Sequence, residues 1–342
     1  MTVQQALARI LDGHDLSRAE ARAVMNQVME GEATPAQIGG LLVALRLKGE
    51  TADEIAGCAE AMRAHVLSVR PQRDDLVDTA GTGGDGARTI NISTAAALVA
   101  AAAGAGVAKH GNRAVSSACG SADVLEALGF QLELPPARIE RSIDELGFGF
   151  LFAPTHHPAM RHAAPVRQEL AARTVFNVLG PLTNPAGARA QVVGVYAPSL
   201  VRTIAEVLAQ LGARRAFVVH GAGGIDELSP AGPNLVCEVV DGGVREREID
   251  PRELGVPRCD PAELRGGSPN DNATAIRDVF RGENGGRRSA ILLNAAGAIA
   301  AAGHAADLGE GLELAREAVD SGAAAERLDT LIEFSQAAEV NV

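Results

Sequence analysis

The chain has 342 residues, of which 46% are hydrophobic and 22% charged, so it is long enough for one large or two ordinary globular domains. Its formal net charge of −12 and the scatter of its lysines and arginines argue against binding to nucleic acid or to an acidic membrane surface. The content of only 3% aromatic residues and the absence of tryptophan argue against a platform for stacking nucleic-acid bases as well.

Signals for export or membrane insertion are also missing from the sequence. The N-terminal segment has no basic start and no continuous apolar core, and the longest apolar run, 95–108, is mostly alanine and glycine. The cysteines follow neither a CxxC nor a disulfide-framework spacing: Cys58, Cys119, Cys237 and Cys259. We therefore expect a cytoplasmic protein with its thiols in a reducing compartment and no membrane or nucleic-acid partner.

Three amphipathic helices are predicted before any strand. Ser17 and Glu20 have the spacing of a capping box, and Thr51 and Glu54 repeat it. Apolar residues then recur every three or four positions after each cap. These patterns predict a separate helical segment of about 65–70 residues at the start of the chain.

From Leu76 onward, predicted strands alternate with predicted helices, which is typical of parallel βα units. The predicted strands are Leu76–Asp78, Gly106–Lys109, Phe148–Phe152, Gln191–Tyr196, Ala216–His220 and Ala290–Leu293. The predicted helices are Thr94–Ala103, Ser121–Leu128, Pro136–Leu146, Pro158–Leu170, Ser199–Leu211, Asn272–Phe280, Gly297–Ala302 and Gly309–Ser321. A hairpin is predicted at Leu235–Val240 and Val244–Ile249, and the helix with Val166 is expected to return to the helical segment.

The most distinctive stretch is residues 78–94, DTAGTGGDGARTINIST, between a predicted strand and an alanine-rich helix. Its glycines exceed what one turn needs: Gly81, Gly83, Gly84 and Gly86. Glycines let backbone N–H groups approach a ligand closely, and a helix N-terminus favours negative charge. The stretch is therefore predicted to cradle a phosphate group.

The same glycines match the G-x-G-x-x-G pattern of dinucleotide-binding enzymes. That pattern requires an acidic residue roughly 20 residues later, where this chain ends its next strand on Lys109. Asp85 would also repel a pyrophosphate unless a metal or a hydroxyl lay between them. We therefore disfavour a dinucleotide-dependent dehydrogenase.

Two further loops also follow predicted strands. Residues 109–123, KHGNRAVSSACGSAD, offer cations, an amide and hydroxyls to anionic oxygens, although a solvated surface loop has a similar composition. Asp226 and Glu227 are adjacent carboxylates in a glycine-flanked loop, and such oxygens suit Mg²⁺ together with substrate phosphate. An Asp-Glu pair by itself is more often a solvated helix start.

A fourth motif is FAPTHHPAMRHAAPVRQELAARTVFNVLGPLTNP. Its three histidines, His156, His157 and His162, do not have the spacing of a metal site. Arg167 and Arg173 are suited to pairing with a substrate carboxylate, but ordinary helix-face charges are an equally good interpretation. No Ser–His–Asp or Cys–His grouping supports covalent catalysis.

Taken together, these motifs resemble those of anthranilate phosphoribosyltransferases. The segments that carry the resemblance are 81–85 (GTGGD), 91–94 (NIST), 109–117 (KHGNRAVSS), 120–129 (GSADVLEALG), 157–160 (HPAM), 173–186 (RTVFNVLGPLTNPA), 226–227 (DE) and 265–267 (RGG). Two departures are visible, Ile90 before NIST and Ala118-Cys119 in the second loop, and neither removes a functional group assigned below.

The resemblance implies an α/β fold with a small α-helical domain, residues 1–70, and a large α/β domain, residues 71–342, around a mostly parallel sheet like that of nucleoside phosphorylases. A helical segment near 158–180 is expected to join the helical domain. The resemblance further implies a homodimer formed through the helical domains. The implied reaction transfers the phosphoribosyl group of 5-phosphoribosyl 1-diphosphate (PRPP) to the amine of anthranilate in tryptophan biosynthesis, releasing pyrophosphate, with two Mg²⁺ ions in each active site.

The same resemblance assigns the site residues. Lys109, Asp226 and Glu227 are expected to act in catalysis, and the expected Mg²⁺ ligands are Ser93, Asp226 and Glu227. The residues expected around anthranilate are Gly81, Asn112, His157 and Arg167. The residues expected to contact PRPP are Gly81, Gly84, Asp85, Thr89, Asn91, Ile92, Ser93, Thr94, Lys109, His110, Gly111, Asn112, Arg113, Ala114, Val115, Ser116, Ser117 and Ser121.

Two alternatives of a related fold remain open. A relative that binds nucleic acid instead of anthranilate would show basic charge and a degraded HPAM or RTVFNVLGPLTNPA segment, whereas this chain has a net charge of −12 and both segments intact. A nucleoside phosphorylase would have other motifs in place of KHGNRAVSS and GPLTNP. The implied chemistry also explains why no nucleophile is found, because an oxocarbenium-like centre requires charge neutralisation of the leaving group and positioning.

Overall fold

The computed structural model describes residues 1–114 and 118–337, and it shows an N-terminal helical domain and a larger α/β domain, as expected. The helices are α1 (Val3–Leu11), α2 (Arg18–Met29), α3 (Pro35–Lys48), α4 (Ala52–Ala64), α5 (Ile92–Ala102), α6 (Ser121–Leu128), α7 (Pro136–Leu146), α8 (Ala153–His156), α9 (Ala164–Leu170), α10 (Phe176–Leu179), α11 (Leu200–Gln210), α12 (Pro269–Phe280), α13 (Gly286–Ala302), α14 (Leu308–Asp320) and α15 (Ala323–Gln336). The strands are β1 (Leu76–Asp78), β2 (Gly106–Gly111), β3 (Phe148–Phe152), β4 (Ala190–Gly194), β5 (Arg215–His220), β6 (Asn234–Val240) and β7 (Gly243–Ile249). Short 3₁₀ helices occur at Pro158–His162, Gly180–Leu182, Pro251–Leu254 and Pro261–Leu264.

Each of the first four helices begins at a capping box. The Ser17 hydroxyl accepts the N–H of Glu20 while the Glu20 carboxylate accepts the N–H of Ser17, and Thr51 and Glu54 repeat the arrangement, which confirms both predicted caps. The prediction of three helices omitted α1, a nine-residue helix that Thr2 caps in the same way.

The sheet has the strand order β3-β2-β1-β4-β5-β6-β7, with parallel pairing from β3 to β5 and antiparallel pairing from β5 to β7. The chain proceeds from β1 outward to β3 and then crosses to β4 on the other side of β1. This change of direction beside β1 is the topological switch point, where open α/β sheets bind ligands beyond the carboxyl ends of the strands. The β6–β7 hairpin was predicted correctly.

The sheet is buried on both faces, and each face belongs to a different core. Along β5, Phe217 and Val219 contribute to the core shared with α5, α13 and α14, whereas Ala216 and Val218 contribute to the other core. The alternation follows from the two-residue period of a strand. The second core also contains the buried residues of α1–α4, so the helical domain and one face of the sheet pack as one apolar cluster.

The segment that follows β3 reaches the helical domain. Val166 in α9 is buried in the same cluster as Ile38 and Leu41 of α3, and Phe176 in α10 belongs to it too. The apolar cluster that contains the core of the helical domain therefore includes residues from this second, separate part of the chain.

One predicted strand is wrong. Residues Ala290–Leu293 lie within α13, and the predicted helix Gly297–Ala302 is the second half of the same helix. Because α13 is buried nearly all round, its apolar run has no polar face, and such a run cannot be distinguished from a buried strand by periodicity. Helix α15 was not predicted. In the part of the chain that the structure describes, no helix is long and apolar enough to cross a membrane.

Candidate active site

The glycine-rich loop after β1 and the acidic loop after β5 meet at the carboxyl edge of the sheet. The Gly83 N–H donates a hydrogen bond of 2.7 Å to Asp226 Oδ2, and a Cβ atom at Gly81 would lie only 2.8 Å from that oxygen. Gly83 and Gly84 have φ angles of +63° and +77°, a conformation that favours glycine. Gly86 has a φ angle of +77° as well, so the structure explains three of the glycines by backbone conformation and Gly81 by close approach.

A second set of contacts joins the acidic loop to the same glycine-rich loop and to α5. The Asp226 N–H donates to Asp85 Oδ2 at 3.3 Å, and the Ser93 N–H donates to Glu227 Oε1 at 3.1 Å. Ser93 is in the first turn of α5, so the carboxylate of Glu227 lies at a helix N-terminus, which favours negative charge. The predicted metal ligands Ser93, Asp226 and Glu227 are thus brought together.

The acidic pair carries raised pKa values. Burial and the neighbouring charge of Asp85 raise the pKa of Asp226 to about 7, and burial and the charge of Asp226 raise the pKa of Glu227 to about 8. Like charges crowded in a buried place favour protonation of one of them or the arrival of a cation.

This donor set fits Mg²⁺. Among residues 1–114 and 118–337, no group of three or more His, Cys, Asp or Glu side chains is arranged to hold a metal ion. Mg²⁺ does not require such a cage, because it keeps several waters and binds through one or two carboxylates together with substrate phosphate oxygens. Asp226, Glu227 and the Ser93 hydroxyl are the oxygens of this chain that would hold it.

Lys109 lies beneath the glycine-rich loop rather than on its surface. Only 1% of the residue is exposed, and its Nζ donates to the carbonyl oxygen of Thr79 at 3.2 Å and to the Thr79 hydroxyl at 3.1 Å. Burial lowers the pKa of the Lys109 ammonium, while the charges of Asp78 and Glu227 oppose that change. Lys109 therefore supplies positive charge under the loop and ties it to β2.

Asp78 connects the first two loops. Its Oδ1 accepts the N–H of His110 at 3.1 Å, and its Oδ2 accepts a hydrogen bond of 2.7 Å from the Asn184 side chain. Burial raises the pKa of Asp78 to about 6, and the nearby charge of Lys109 opposes the change. No role was predicted for Asp78 or Asn184, and their contacts make them positioning residues for the loop after β2.

The loop after β2 is partly fixed by α6. The Asn112 N–H donates to the Ser121 hydroxyl at 3.1 Å, and the Ala114 N–H donates to Asp123 at 2.9 Å. Gly111 packs against Ser121 with no room for a Cβ atom. The guanidinium of Arg113 pairs with Asp123 and Glu126 of α6. Three of the expected PRPP contacts lie outside the described residues: Val115, Ser116 and Ser117.

Two buried histidines form a hydrogen-bonded pair beside this loop. The Nε2 atoms of His110 and His157 are 3.1 Å apart, and His110 Nδ1 is 3.2 Å from the carbonyl oxygen of Gly180. Since that oxygen can only accept, we assign the His110 proton to Nδ1, and His157 Nε2 must then donate. This assignment leaves His157 Nδ1 as a hydrogen-bond acceptor.

Burial and the neighbouring rings keep both imidazoles neutral. Burial, with a smaller contribution from His157, lowers the pKa of His110 to about 3, and burial lowers the pKa of His157 to about 4. The family resemblance assigned His157 to the anthranilate side and His110 to the PRPP side. It gave no sign that the two side chains touch, because His110 lies in β2 and His157 lies in the segment after α8.

The two arginines of the fourth motif have different surroundings. The guanidinium of Arg167 in α9 lies 5.0 Å from the centre of the Phe176 ring, and burial lowers its pKa. Arg173 donates from Nη2 to the Gly84 carbonyl oxygen at 2.5 Å and lies 4.2 Å from the centre of the Tyr196 ring. Arg173 therefore holds the glycine-rich loop, whereas the sequence suggested either pairing with a substrate carboxylate or an ordinary helix-face charge.

The second half of the glycine-rich loop is held from the far end of the chain. Thr89 forms a β-bridge with Arg265, and the Ile90 N–H donates to the Leu264 carbonyl oxygen at 2.9 Å. The Asn91 side chain accepts a hydrogen bond of 2.9 Å from Asn272 of α12. The side chains of Ile92 and Thr94 are buried, and the Thr94 hydroxyl has no hydrogen-bond partner among the described residues.

Comparison with known proteins places this arrangement in a class. Residues 73–325 match the model of the "Glycosyl transferase family, a/b domain" and residues 4–66 match that of the "Glycosyl transferase family, helical bundle domain". The chain thus belongs to a class of two-domain glycosyl transferases.

Individual relatives identify the family within this class of glycosyl transferases. The chain is 56% identical over 330 residues to anthranilate phosphoribosyltransferase of Anaeromyxobacter sp. (strain Fw109-5), covering 96% of this chain and 98% of that protein. It is 53% identical to the enzyme of the same name from Pelotomaculum thermopropionicum, covering 97% and 96% of the two chains. The chain belongs to the anthranilate phosphoribosyltransferase family.

Solved structures agree with this assignment. The crystal structure of anthranilate phosphoribosyltransferase from Thermus thermophilus is similar with a TM-score of 0.92 and 50% identity, covering 97% of this chain and 99% of that one. The Saccharomyces cerevisiae enzyme in complex with PRPP and Mg is similar with a TM-score of 0.87 and 27% identity, covering 97% of each chain.

Proposed function

We propose that this protein transfers the phosphoribosyl group of PRPP to the amine of anthranilate, giving N-(5-phosphoribosyl)anthranilate and pyrophosphate in tryptophan biosynthesis. The observation that carries the proposal is the meeting of the glycine-rich loop with the acidic loop through Gly83 and Asp226. This contact brings a backbone segment suited to binding phosphate next to a pair of carboxylates suited to binding Mg²⁺, at the topological switch point of the sheet. The names of the relatives and the ligands of the yeast enzyme support the same reaction.

The reaction forms a C–N bond and breaks a C–O bond. The anthranilate nitrogen attacks C1 of the ribose, the C1–O bond to pyrophosphate breaks, and the electron pair of that bond leaves with pyrophosphate. The amine gives up one proton. Mg²⁺, when bound, supplies charge neutralisation of the diphosphate, and we expect two ions in each site. The chain itself supplies orientation and a fixed electrostatic environment.

The PRPP side of the site is assigned to the two glycine-containing loops. Backbone N–H groups of the loop after β1 and the N-terminus of α5 face the phosphates. The buried ammonium of Lys109 adds positive potential from below, held in place through Thr79. The contacts of Arg173 and Asn91 keep the loop in one conformation before the substrate arrives.

The anthranilate side is assigned to the segment after β3 and to Asn112. His157 presents an acceptor nitrogen because His110 fixes its tautomer. Arg167 offers its guanidinium to the anthranilate carboxylate, and its partly buried position strengthens such a charge-assisted hydrogen bond. The structure of the yeast enzyme with 4-fluoroanthranilate supports an aromatic carboxylate as the ligand class.

We further propose a homodimer formed through the helical domains and a cytoplasmic location. Helices α1 and α3 pack together and carry large exposed hydrophobic residues, with Leu11 71% exposed and Leu47 82% exposed. Large exposed apolar side chains on two helices that pack together support a protein–protein contact, and a second copy of the chain is the expected occupant.

The test of the reaction uses the fluorescence of anthranilate. Adding PRPP and Mg²⁺ to the protein with anthranilate is expected to abolish that fluorescence, and omission of Mg²⁺ is expected to slow the loss strongly. The double variant Asp226→Ala, Glu227→Ala is expected to lose turnover while keeping its fold in circular dichroism. Undiminished anthranilate fluorescence with the unaltered protein would refute the proposed function.

A further inference from the structure

Residues 265–267, the RGG segment, pack against the side chain of Asn272 beside the glycine-rich loop. A Cβ atom at Gly266 would lie 2.6 Å from Asn272 Oδ1 and 2.8 Å from the carbonyl oxygen of Thr89. Gly266 does not have a positive φ angle, so close approach rather than backbone conformation requires glycine at this position. The RGG segment therefore leaves room for the amide of Asn272 next to the loop that is assigned to PRPP.

Asn272 is a buried polar residue of α12, and only 1% of it is exposed. Its Oδ1 accepts the N–H of Gly267 at 2.8 Å, and its Nδ2 donates to Asn91 Oδ1 at 2.9 Å. A buried amide is costly unless its hydrogen bonds are made, and both ends of this amide have a partner. Asn272 thus links the RGG segment to Asn91, which directly precedes α5.

The same line of hydrogen bonds continues to the loop after β2. Asn91 Nδ2 donates to the carbonyl oxygen of Cys119 at 3.1 Å. The next residue, Gly120, is so close to that loop that a Cβ atom there would lie 2.4 Å from the nitrogen of Ala114 and 2.6 Å from the carbonyl oxygen of Asn112. Three hydrogen bonds in a line therefore connect the RGG segment, the glycine-rich loop and the residues that support the loop after β2.

The two ends of this line fix the direction of each hydrogen bond in it. The Gly267 N–H can only donate, so Asn272 must turn its oxygen towards Gly267 and its NH2 group towards Asn91. The Cys119 carbonyl oxygen can only accept, so Asn91 must turn its NH2 group towards Cys119 and its oxygen towards Asn272. Both ends thus require the same orientation of the two amides. A side chain of similar shape without an amide at position 272 would leave both Gly267 and Asn91 without this partner.

We propose that Asn272 is a positioning residue for PRPP, which acts through Asn91 and holds the two PRPP loops in one arrangement. The proposal rests on the proposed function, which assigns Asn91 and both loops to PRPP. Asn272 is not expected to touch the substrate, because both ends of its amide are engaged with protein groups. Loops that are already held in place need not be ordered when PRPP binds, and the lower ordering cost strengthens binding.

Steady-state kinetics with Asn272→Leu tests this role, because the substitution keeps the shape of the side chain and removes both of its hydrogen bonds. It is expected to raise the KM for PRPP about tenfold, an effect of the size expected for lost buried hydrogen bonds. The KM for anthranilate is expected to change less than about threefold, because His157 and Arg167 lie in the segment after β3. Asn270→Leu, the same substitution at an exposed asparagine of α12, is the matched control and is expected to leave both KM values unchanged.

A double-mutant cycle tests whether Asn272 acts through Asn91. Asn91→Ala alone is expected to raise the KM for PRPP. Adding Asn272→Leu to Asn91→Ala is expected to change that KM less than about twofold further, because the hydrogen bond between the two side chains is already lost. Single-variant effects that multiply in the double variant would overturn the proposed action through Asn91.

A stability control separates positioning from a general loss of stability. Ser142 of α7 is also 1% exposed, and its hydroxyl donates to the carbonyl oxygen of Phe148 at 2.7 Å, at the start of β3 and away from the carboxyl edge of the sheet. Ser142→Ala is expected to lower the melting temperature and to leave both KM values unchanged. Should the thermal melt of Asn272→Leu show a folding defect, Asn272→Ala is the second variant, with the same expected rise in the KM for PRPP. An unchanged KM for PRPP, an equal rise in both KM values, or the same rise in Ser142→Ala would each overturn the proposal.

Calorimetric titration with PRPP and Mg²⁺ distinguishes a failure of this proposal from a failure of the proposed function. Without anthranilate, Asn272→Leu is expected to weaken PRPP binding about tenfold. A protein that binds PRPP and never consumes anthranilate would contradict the proposed function, while the loss of affinity in the variant would still support the positioning role. A protein that consumes anthranilate and binds PRPP equally well with and without the substitution would contradict the positioning role alone.

Discussion

Among single residues, Asp226 and Glu227 determine how the protein responds to pH and Mg²⁺. Their pKa values are raised to about 7 and about 8, and a metal ion binds only the ionised carboxylates. Apparent Mg²⁺ affinity in the presence of PRPP is therefore expected to rise between about pH 6 and pH 8.5, with proton release on binding near pH 7. Calorimetry in buffers of different ionisation enthalpy measures both quantities.

The same two carboxylates predict the opposite trend for the metal-free fold. Because their folded-state pKa values exceed their unfolded values, their contribution to stability is present below about pH 4 and is lost as the pH rises through about 7 to 8. Asp226→Asn is expected to flatten this decline in the thermal melting temperature. A melting profile that does not change between the variant and the unaltered protein would contradict the raised pKa values.

Arg167 provides a test of substrate assignment. Arg167→Ala is expected to raise the KM for anthranilate about tenfold or more, the effect of one charge-assisted hydrogen bond, and to change the KM for PRPP less than about twofold. Arg161→Ala is the control, because Arg161 is an exposed arginine in the same segment whose Nη1 lies 3.4 Å from the Pro158 carbonyl oxygen. Equal losses for both substrates would count against the placement of Arg167.

At the level of elements, the glycine-rich loop depends on supports that come from distant parts of the chain. Arg173 holds it through the carbonyl oxygen of Gly84, and the segment around Leu264 holds its second half. Arg173→Ala is expected to raise the KM for PRPP about tenfold with little change in the melting temperature, because it removes a charge-assisted hydrogen bond to an exposed loop. Arg202→Ala, at an arginine of α11 paired with Glu206, is the control in the same assays, and an unchanged KM in Arg173→Ala would remove Arg173 from the site.

An element could be predicted from the sequence when the residues that determine it are close together in the chain. The capping boxes at Ser17 and Thr51 are local, and both were confirmed. The strand predicted at Ala290–Leu293 was wrong, because α13 is surrounded by protein and its apolar run lacks the polar face that identifies a helix.

The same distinction between local motifs and tertiary contacts applies to the candidate site. The glycine-rich loop and the acidic pair could be found as motifs, and their position after strands predicts that they lie at one edge of the sheet. The His110–His157 hydrogen bond and the role of Arg173 could not be predicted from residue spacing. Both depend on how the segment after β3 packs against the two loops, which is tertiary information.

For the whole molecule, the exposed leucines of the helical domain provide a test of the proposed homodimer. Leu47→Glu is expected to convert a dimer to a monomer, since each of two symmetry-related leucines contributes about 1.5–3 kcal/mol when buried. Light scattering after size-exclusion chromatography measures the mass. Val240→Glu is the control, because Val240 is also an exposed hydrophobic residue but lies on β6. A dimer that persists in Leu47→Glu would place the interface elsewhere.

The apolar cluster shared by α1–α4, by residues 163–182 and by one face of the sheet has a consequence for how the chain is made. When the ribosome has completed residue 70, the helical domain still lacks Val166, Phe176 and Leu179, which belong to its core. Those residues are synthesised only after β1, β2 and β3. We therefore expect the usual order, in which an N-terminal domain finishes folding before the next one is made, to be altered in this protein. The four helices are expected to pack on one another first, α2 on α4 and α1 on α3, and to bury their remaining apolar surface only when more than half of the chain has been made.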